Sequence, residues 1–380
     1  MATESVLVNF VYAHNVGHAI EALHYAHGYH LADPDRRIAL VLNKKTPVEL
    51  ASFCDCVDEV FEVEVDLFDG DFDAAPALAG IPRDWDWVVG DLRGTQDVQR
   101  ELFPGLARYY DTAATHFRAA KGTGSAGLVK IGPSYRPHQE LRLNLPRAEL
   151  DRGAALLGDA PVKIAVLPGG SAPREYYPST ASWELILGGL AEKFPGARFC
   201  FLGKLDTGDG RTGTSFGAGE LDRLRTAFPS VAAVDVPLVD QLGALAACDL
   251  LISPHSGFSF TASALGVPWL ALSGNRWPEY YFNGVPFYSV LPDRERFPCY
   301  SMFAADPDPV DEPGGPHAPS MSQARFAADL PEIVAGAQLL LGDWSYPDAL
   351  SDHFQRLNRR FPDWSTWFFA IDGVHLPFIS

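Results

Sequence analysis

The stretch of residues 162–190 constrains the fold most, because it joins a buried strand to a helix through a glycine turn. Residues 164–167 form a short apolar run typical of a buried strand, and Pro168-Gly169-Gly170-Ser171 then interrupts it. A helix is predicted after the turn, with Ser179 or Thr180 as its cap. The predicted apolar face of this helix consists of Trp183, Ile186, Leu187 and Leu190. Strand, turn and helix in this order indicate an α/β unit.

The glycine turn also predicts an anion site, because such a turn presents backbone N–H groups to a ligand. Gly169 and Gly170 permit a close approach to the backbone, and the Ser171 hydroxyl and the Arg174 guanidinium can bind phosphate oxygens. The motif is weak on its own. The alternative is that these residues form the ordinary first turn of an α/β unit.

Strand and helix patterns alternate through both halves of the chain, which predicts parallel sheets covered by helices. In the first half, strands are expected at 6–12, 37–42, 57–65 and 85–89, with a helix at 19–30. The second half repeats the pattern from residue 164 onwards. Residues 206–219 and the Pro- and Gly-rich residues 292–320 are predicted as loops.

A chain of 380 residues is too long for one ordinary core, so two domains are expected. We predict an N-terminal domain over residues 1–158 and a second domain over 159–345. The boundary lies near Gly158-Asp159-Ala160-Pro161. Residues 346–380 are predicted to form a C-terminal helix and tail that pack back on the N-terminal domain.

Composition excludes several classes of protein. The net charge of −18 and the absence of a Lys/Arg run disfavour nucleic acid as a partner. The acidity can attract a cationic acceptor, although solubility explains it equally well. No apolar run is long enough to span a bilayer and no signal peptide precedes the first strand, so a cytoplasmic location is expected. Of the five cysteines, Cys54 and Cys56 lack a second pair at zinc spacing and are predicted to be packed thiols.

Three blocks in the chain resemble the bacterial heptosyltransferases of glycosyltransferase family 9. The first runs from Asn15 to Leu23 and is followed by Val-Asp-Glu-Val at 57–60. The second contains Gly170-Ser171, Arg174, Tyr177-Pro178 and Trp183. The third runs from Leu242 to Gly274 and contains the turn that begins at His255 and the Gly-Val-Pro at 266–268. The resemblance implies the GT-B fold, with two Rossmann-like three-layer α/β/α domains whose parallel sheets face a central cleft.

Two positions depart from the family pattern. In that family an aspartate just after the first glycine turn is placed as the catalytic base, and here the residue is His18. An acidic residue that helps to hold the donor sugar is replaced by His255. The chain therefore looks like a divergent member that uses another sugar nucleotide or another acceptor.

His18 is the predicted general base, because imidazole titrates where a base works best. Glu21, one helical turn further on, can orient it. One alternative is a polar residue without a role at the start of a helix. Another is a metal site of His14, His18 and Glu21, which requires His14 to lie on the helix, although it is predicted to precede it. We therefore expect no metal and no cofactor other than a nucleotide-sugar co-substrate.

The donor site is predicted at the strand ends of the second domain. Its phosphate-binding part comprises Gly169, Gly170, Ser171, Arg174 and Tyr177, together with the second turn, His255, Ser256, Gly257 and Ser259. The base and ribose are expected near Gly203, Lys204 and Asp206. Glu279 lies in an aromatic segment suited to sugar binding or, alternatively, to a packed hinge. Ser256 and Ser259 have an alternative role as ordinary helix caps.

The acceptor site is predicted in the first domain, with Asn15, Asp91 and Arg93 as candidates. Asp91 and Arg93 have an alternative interpretation as a turn cap and a surface cation. The sequence specifies neither the acceptor, which can be a glycan, a natural product or a protein, nor the oligomeric state.

The predicted function is an inverting, metal-independent glycosyltransferase. One alternative is a sugar-nucleotide epimerase of similar build, and another is a sugar- or nucleotide-binding protein without catalysis. A dehydrogenase is disfavoured, because no Gly-x-Gly-x-x-Gly follows the first strand.

Overall fold

Two parallel sheets carry the fold, and each belongs to one of two units in the computed structural model. The first unit comprises Met1–Asn144 with Ser365–Ser380, and the second comprises Leu145–Trp364. The structure describes residues 4–11, 16–65, 75–90, 97–119, 132–137, 139–206, 213–274, 284–299, 307–364 and 378, without the side chains of 112–119.

The first unit contains a four-stranded parallel sheet in the order β3-β2-β1-β4. The order reverses direction between β1 and β4, which are neighbours although two other strands separate them in the chain. All six residues of β1 are buried, as expected for a strand covered on both faces. The elements are β1 Ser5–Phe10, α1 Val16–Ala32, β2 Arg37–Asn43, β3 Glu59–Val63, α2 Ala75–Leu78, β4 Trp87–Gly90, α3 Asp97–Leu102 and α4 Pro104–Ala119.

The second unit contains a six-stranded parallel sheet in the order β10-β9-β8-β5-β6-β7. Its elements, in chain order, are α5 Arg147–Leu157, β5 Lys163–Val166, α6 Thr180–Lys193, β6 Arg198–Gly203, α7 Ala218–Ala227, β7 Ser230–Val234, α8 Leu238–Ala246, β8 Leu250–Pro254, α9 Phe260–Ala264, β9 Trp269–Leu272, β10 Phe287–Val290, β11 Val310–Glu312, β12 Gly315–His317, α10 Gln323–Leu340 and α11 Tyr346–Arg360.

The predicted core face of α6 is confirmed. Trp183, Ile186, Leu187 and Leu190 are fully buried against the central strands of this sheet and against α10. The Pro-rich residues 292–320 differ from the predicted loop, because they contain the antiparallel hairpin β11–β12. Cys54 and Cys56 are buried free thiols, as predicted. Among the described residues, no helix is both long and apolar enough to cross a membrane.

The boundary between the units lies after Asn144 rather than at residue 158, because α5 packs against α8 of the second unit. Two glycines permit this packing. A Cβ atom at Gly153 would overlap the carbonyl group of Gly243, and one at Gly243 would overlap the carbonyl group of Glu149. Arg152 on α5 also donates hydrogen bonds to Asp240 on α8, at 2.6 and 2.9 Å. The two helices therefore touch backbone to backbone.

The helix at residues 346–360 belongs to the second unit, whereas the sequence placed it with the tail on the first domain. The reason is its contact with β10, which has a strand neighbour on one side only. Arg356 of α11 donates to the carbonyl of Ser289, and Arg360 donates to the carbonyl of Leu291. Glu332 of α10 forms ion pairs with both arginines. These bonds satisfy carbonyl groups near the open edge of the sheet. Apart from Phe378, the tail lies outside the described residues.

The contact between α5 and α8 can be tested with two glycine substitutions. We expect Gly153→Ala to lower the free energy of unfolding by about 1–3 kcal/mol, because the new methyl group forces the helices apart. Gly188→Ala on α6 is the matched control, since a Cβ atom there meets nothing within 4 Å. It should be neutral or stabilise the helix by up to about 1 kcal/mol. Urea unfolding measures both, and equal midpoints for the two variants would contradict the packing.

Candidate functional site

The candidate site of the second unit lies where β5 and β8 run side by side. The strand order reverses between these two strands, and ligands of such sheets bind at the carboxyl ends of the strands at this switch point. The turn that follows β5, residues 168–171, meets the turn that follows β8, residues 255–259. A Cβ atom at Gly170 would lie 2.8 Å from the Cβ of Ser256. The structure therefore brings together the two turns that the sequence singled out.

Hydrogen bonds hold the backbone of the first turn from several sides. The Tyr177 hydroxyl accepts from the N–H of Ala172 at 3.1 Å, and it lies beside Gly170, where a Cβ atom would be 2.8 Å from it. The indole N–H of Trp183 donates to the Pro168 carbonyl at 3.0 Å. Burial raises the pKa of Tyr177, so its hydroxyl stays protonated at neutral pH. Ser171, in contrast, is exposed.

Two residues of the site, Thr214 and Ser215, were not predicted from the sequence. The Thr214 hydroxyl donates to the carbonyl of Gly169 at 3.1 Å, and the Ser215 N–H donates to the carbonyl of Gly170 at 2.8 Å. The only signal in the sequence is the Gly- and Thr-rich composition of residues 206–219, which predicts a loop but not its position. Thr214 and Ser215 therefore lie directly beside the first turn.

Arg174 is directed towards protein groups. Its guanidinium donates to Glu220 at 2.9 Å and to the carbonyls of Tyr177 and Pro178, and it lies over the ring of Phe216. Burial acts to raise the pKa of Glu220, but hydrogen bonds from Arg174, the Gly217 N–H and Thr180 outweigh it and lower that pKa. The expected direct contact of Arg174 with phosphate therefore competes with three hydrogen bonds that its terminal nitrogens make inside the protein.

The second turn carries a chain of serine hydroxyls. The Ser259 hydroxyl lies 2.8 Å from that of Ser253 and 3.2 Å from that of Ser256. Neither Ser256 nor Ser259 makes a side-chain capping bond to the short helices that follow. The alternative role of these serines as ordinary caps is therefore not what the structure shows. The His255 ring packs edge-on against Phe260, with ring centroids 5.4 Å apart.

The helix α6 does not begin at the turn. It begins at Thr180, after the short 3-10 helix Arg174–Tyr176, and Ser179 caps it by accepting from the N–H of Ser182 at 3.1 Å. α9 contains only five residues. Donors for an anion at this edge are therefore the turns themselves rather than two long helix dipoles.

The residues predicted near the base and ribose lie on the neighbouring strand end. Gly203 ends β6 with a φ of +149°, and the Lys204 carbonyl accepts from the N–H of Thr214 at 2.7 Å. Asp235, which the sequence did not single out, accepts from the N–H of Asp206 at 3.0 Å and has a φ of +56°. Thr214 thus links this strand end to the first turn.

In the first unit, His18 lies near the start of α1 and is paired with Glu21. The His18 Nδ1 lies 3.3 Å from Glu21 Oε2, and the Tyr25 hydroxyl donates to Glu21 Oε1 at 3.2 Å. Both His18 and Glu21 are about a quarter exposed, at 24% and 23%. The structure therefore brings together the two residues predicted for catalysis, and Tyr25 joins them.

Other polar groups at this sheet edge were either missed or fall outside the description. At the carboxyl end of β1, the buried Asn9 side chain donates to the buried Gln99 side chain at 2.5 Å. No pattern in the sequence pointed to this pair. Four predicted site residues lie outside the described residues: Asn15, Asp91, Arg93 and Glu279. His14 also lies outside them. Within the described ranges, no group of three or more His, Cys, Asp or Glu side chains is arranged to hold a metal ion.

The chain resembles solved glycosyltransferase structures in fold. It matches a glycosyl transferase of family 9 from Veillonella parvula at 13% identity with a TM-score of 0.54, over 90% of this chain and 98% of that one. It matches the ADP-heptose lipopolysaccharide heptosyltransferase II of E. coli at 14% identity with a TM-score of 0.51, over 88% and 100%. No protein-family model and no curated protein matches the chain. The predicted fold class, mixed α/β with parallel sheets of the GT-B type, is confirmed.

The hairpin strand β12 places a buried histidine beside the Arg174–Glu220 pair. His317 is 2% exposed, and burial together with the Arg174 charge lowers its pKa to about 4. Its Nδ1 has no hydrogen-bond partner among the described residues. The neutral form is therefore the one that the folded chain accommodates.

This environment predicts a pH dependence of stability. An unfolded histidine titrates near pH 6.5, so the unfolded chain binds the extra proton first as the pH falls. Stability supplied by neutral His317 is complete above about pH 6.5 and is lost as the pH falls towards about 4. Between these pH values the wild type should lose up to about 3 kcal/mol of unfolding free energy through His317, and His317→Gln should lack this loss. Urea unfolding at each pH measures both proteins. The buried His353, whose pKa is also lowered, leaves part of the pH dependence of stability in place in this variant. An unchanged slope in His317→Gln would contradict the assignment.

Proposed function

We propose that the chain is a glycosyltransferase that moves a sugar from a nucleotide-diphosphate donor to an acceptor hydroxyl. The observation that carries the proposal is the meeting of the two turns after β5 and β8 at the point where the strand order reverses. Neutral donors line these turns, and the fold is one that solved glycosyltransferases share. Departure of a nucleotide diphosphate requires such a set of fixed donors.

The second unit is assigned to the donor. Ser171, Ser256 and the backbone of the two turns bind the diphosphate, and Lys204 adds a positive charge from the neighbouring strand end. His255 donates to the diphosphate or to a sugar hydroxyl. One neighbour is named for an ADP-heptose donor, which supports a nucleotide sugar as the donor class. The proposal requires no metal, because donors and a cation can stabilise the leaving group without one.

The first unit is assigned to the acceptor, with His18 as the general base. The acceptor oxygen forms a bond to the anomeric carbon while the bond from that carbon to the diphosphate breaks, and the configuration inverts. The hydroxyl proton passes to Nε2 of His18, because Nδ1 faces Glu21. The carboxylate of Glu21 holds the ring orientation and stabilises the imidazolium that forms.

Nucleotide binding can be tested with a glycine variant. Calorimetry with UDP, GDP, ADP and dTDP should show that at least one of them binds the wild type. Gly170→Ala should weaken that binding by about tenfold or more, because its Cβ would lie 2.8 Å from both Ser256 and the Tyr177 hydroxyl. Gly219→Ala on α7, where a Cβ meets nothing within 4 Å, should bind as the wild type does. No binding of any nucleotide by the wild type would refute the donor assignment.

The role of His18 can be tested by turnover with a donor and acceptor pair found by screening. His18→Ala should reduce kcat by about 10²–10⁴, with nucleotide affinity unchanged, because only the proton acceptor is lost. Glu21→Gln should cause a smaller loss. His30→Ala, at the other end of the same helix, is the control and should be fully active.

Nuclear magnetic resonance of the product should show an inverted anomeric centre. Wild-type turnover in His18→Ala would remove this residue from the mechanism. An epimerised donor formed without any acceptor would replace the transferase by an epimerase.

A further inference from the structure

Tyr177 supports the turn after β5, residues 168–171, which we call the donor turn. Its side chain is 3% exposed, and its hydroxyl accepts from the backbone N–H of Ala172 at 3.1 Å. The same hydroxyl lies against Gly170, where a Cβ atom would be 2.8 Å from it. The Ala172 N–H is of the kind that a phosphate-binding turn offers to its ligand, and in this chain it is directed at a phenol of the protein. The hydroxyl therefore fixes the course of the chain on both sides of the exposed Ser171.

The backbone of Tyr177 is held from the other side by an ion pair. Arg174 donates to the carbonyls of Tyr177 and Pro178 at 3.3 and 2.8 Å, and to Glu220 at 2.9 Å. Glu220 in turn accepts from Thr180 at 2.8 Å and from the Gly217 N–H at 2.8 Å. One carboxylate thus joins the start of α7, the start of α6 and the segment that carries Tyr177.

We infer that Tyr177, clamped by the Arg174–Glu220 pair, is a positioning residue that presets the donor turn, and that Arg174 acts through this clamp without contacting the diphosphate. The inference rests on the proposed function for the identity of the ligand. The clamp itself is a property of the protein alone.

The geometry favours a clamp over a direct contact. Moving the guanidinium to a ligand would break its bonds to two carbonyls and leave Glu220, which is partly buried, without its cation. A carboxylate in that position loses a charge-assisted bond and keeps its desolvation cost. The stacking of Arg174 over Phe216, at 4.5 Å from the ring centroid, would also be lost.

Removal of the Glu220 carboxylate distinguishes between two possible roles of Arg174, as part of the clamp or as a ligand of the diphosphate. Glu220→Ala deletes a negative charge near an anion site, which on Coulombic grounds alone should strengthen nucleotide binding. If Arg174 is a ligand of the diphosphate, its release from Glu220 should also strengthen nucleotide binding. The clamp predicts the opposite result, a loss of about tenfold in affinity, because the turn loses its support. Arg174→Met should show a similar loss, and the double variant should be no weaker than either single one.

The matched control is Glu184→Ala. Glu184 on α6 forms a two-fold hydrogen-bonded ion pair with Arg223 on α7, at 2.6 and 2.7 Å, on the exposed surface of the same unit. Its removal deletes the same charge between the same helices without touching the turn. It should leave the nucleotide affinity at or slightly above the wild-type value. Unchanged or stronger binding in Glu220→Ala would overturn the inference.

A second measurement tests the clamp without any ligand. Tyr177→Phe should speed hydrogen exchange of the Ala172 amide by about tenfold or more, because its acceptor is gone. Mass spectrometry of peptides that cover residues 168–173 measures this, and Tyr288→Phe elsewhere in the unit is the control. Wild-type exchange in Tyr177→Phe would overturn the inference. A wild type that binds no nucleotide would refute the proposed function, while the exchange result would still decide the clamp.

Discussion

The pairing of β5 with β8 is the interaction on which the candidate site depends. Parallel pairing places the carboxyl ends of both strands at one edge, and the chain leaves each strand in a different direction. The two turns therefore meet at this edge. Gly170 permits the contact, because a Cβ atom there would strike the opposite turn. The position of the site follows from strand order, and the close approach of its two turns depends on one glycine.

Charge raises a separate question, because a chain with a net charge of −18 is proposed to bind an anion. Salt screens exposed charges beyond about 8 Å at physiological ionic strength, so the overall charge matters less than the groups at the turn. The carboxylate of Glu220 is neutralised by Arg174, and His317 beside it is kept neutral by burial. In the proposed function, local backbone and hydroxyl donors rather than the overall charge act on the ligand.

Sequence patterns predicted what depends on local order and missed what depends on contacts between distant residues. The apolar run at 164–167, the glycine turn and the buried face of α6 were all visible, because each is set by neighbours in the chain. The boundary at residue 144 was not, since it depends on Gly153 meeting Gly243, which are 90 positions apart. Arg174 was found by its spacing, but spacing does not fix the direction of a side chain. Thr214 and Ser215 lie in a Gly- and Thr-rich stretch, whose composition predicts a loop but not the residues that the loop contacts.

In the proposed mechanism, His18 takes the acceptor proton and becomes positively charged, whereas an aspartate base would become neutral. The first turn of a helix, where His18 lies, disfavours a cation. Glu21 lies 3.3 Å from His18 and can supply the compensating charge, and the Tyr25 hydroxyl donates to the other oxygen of the same carboxylate. Residues 18, 21 and 25 recur at helical spacing, so α1 alone carries both the proposed base and its counter-charge. The compensation that such a base needs is therefore available within one helix.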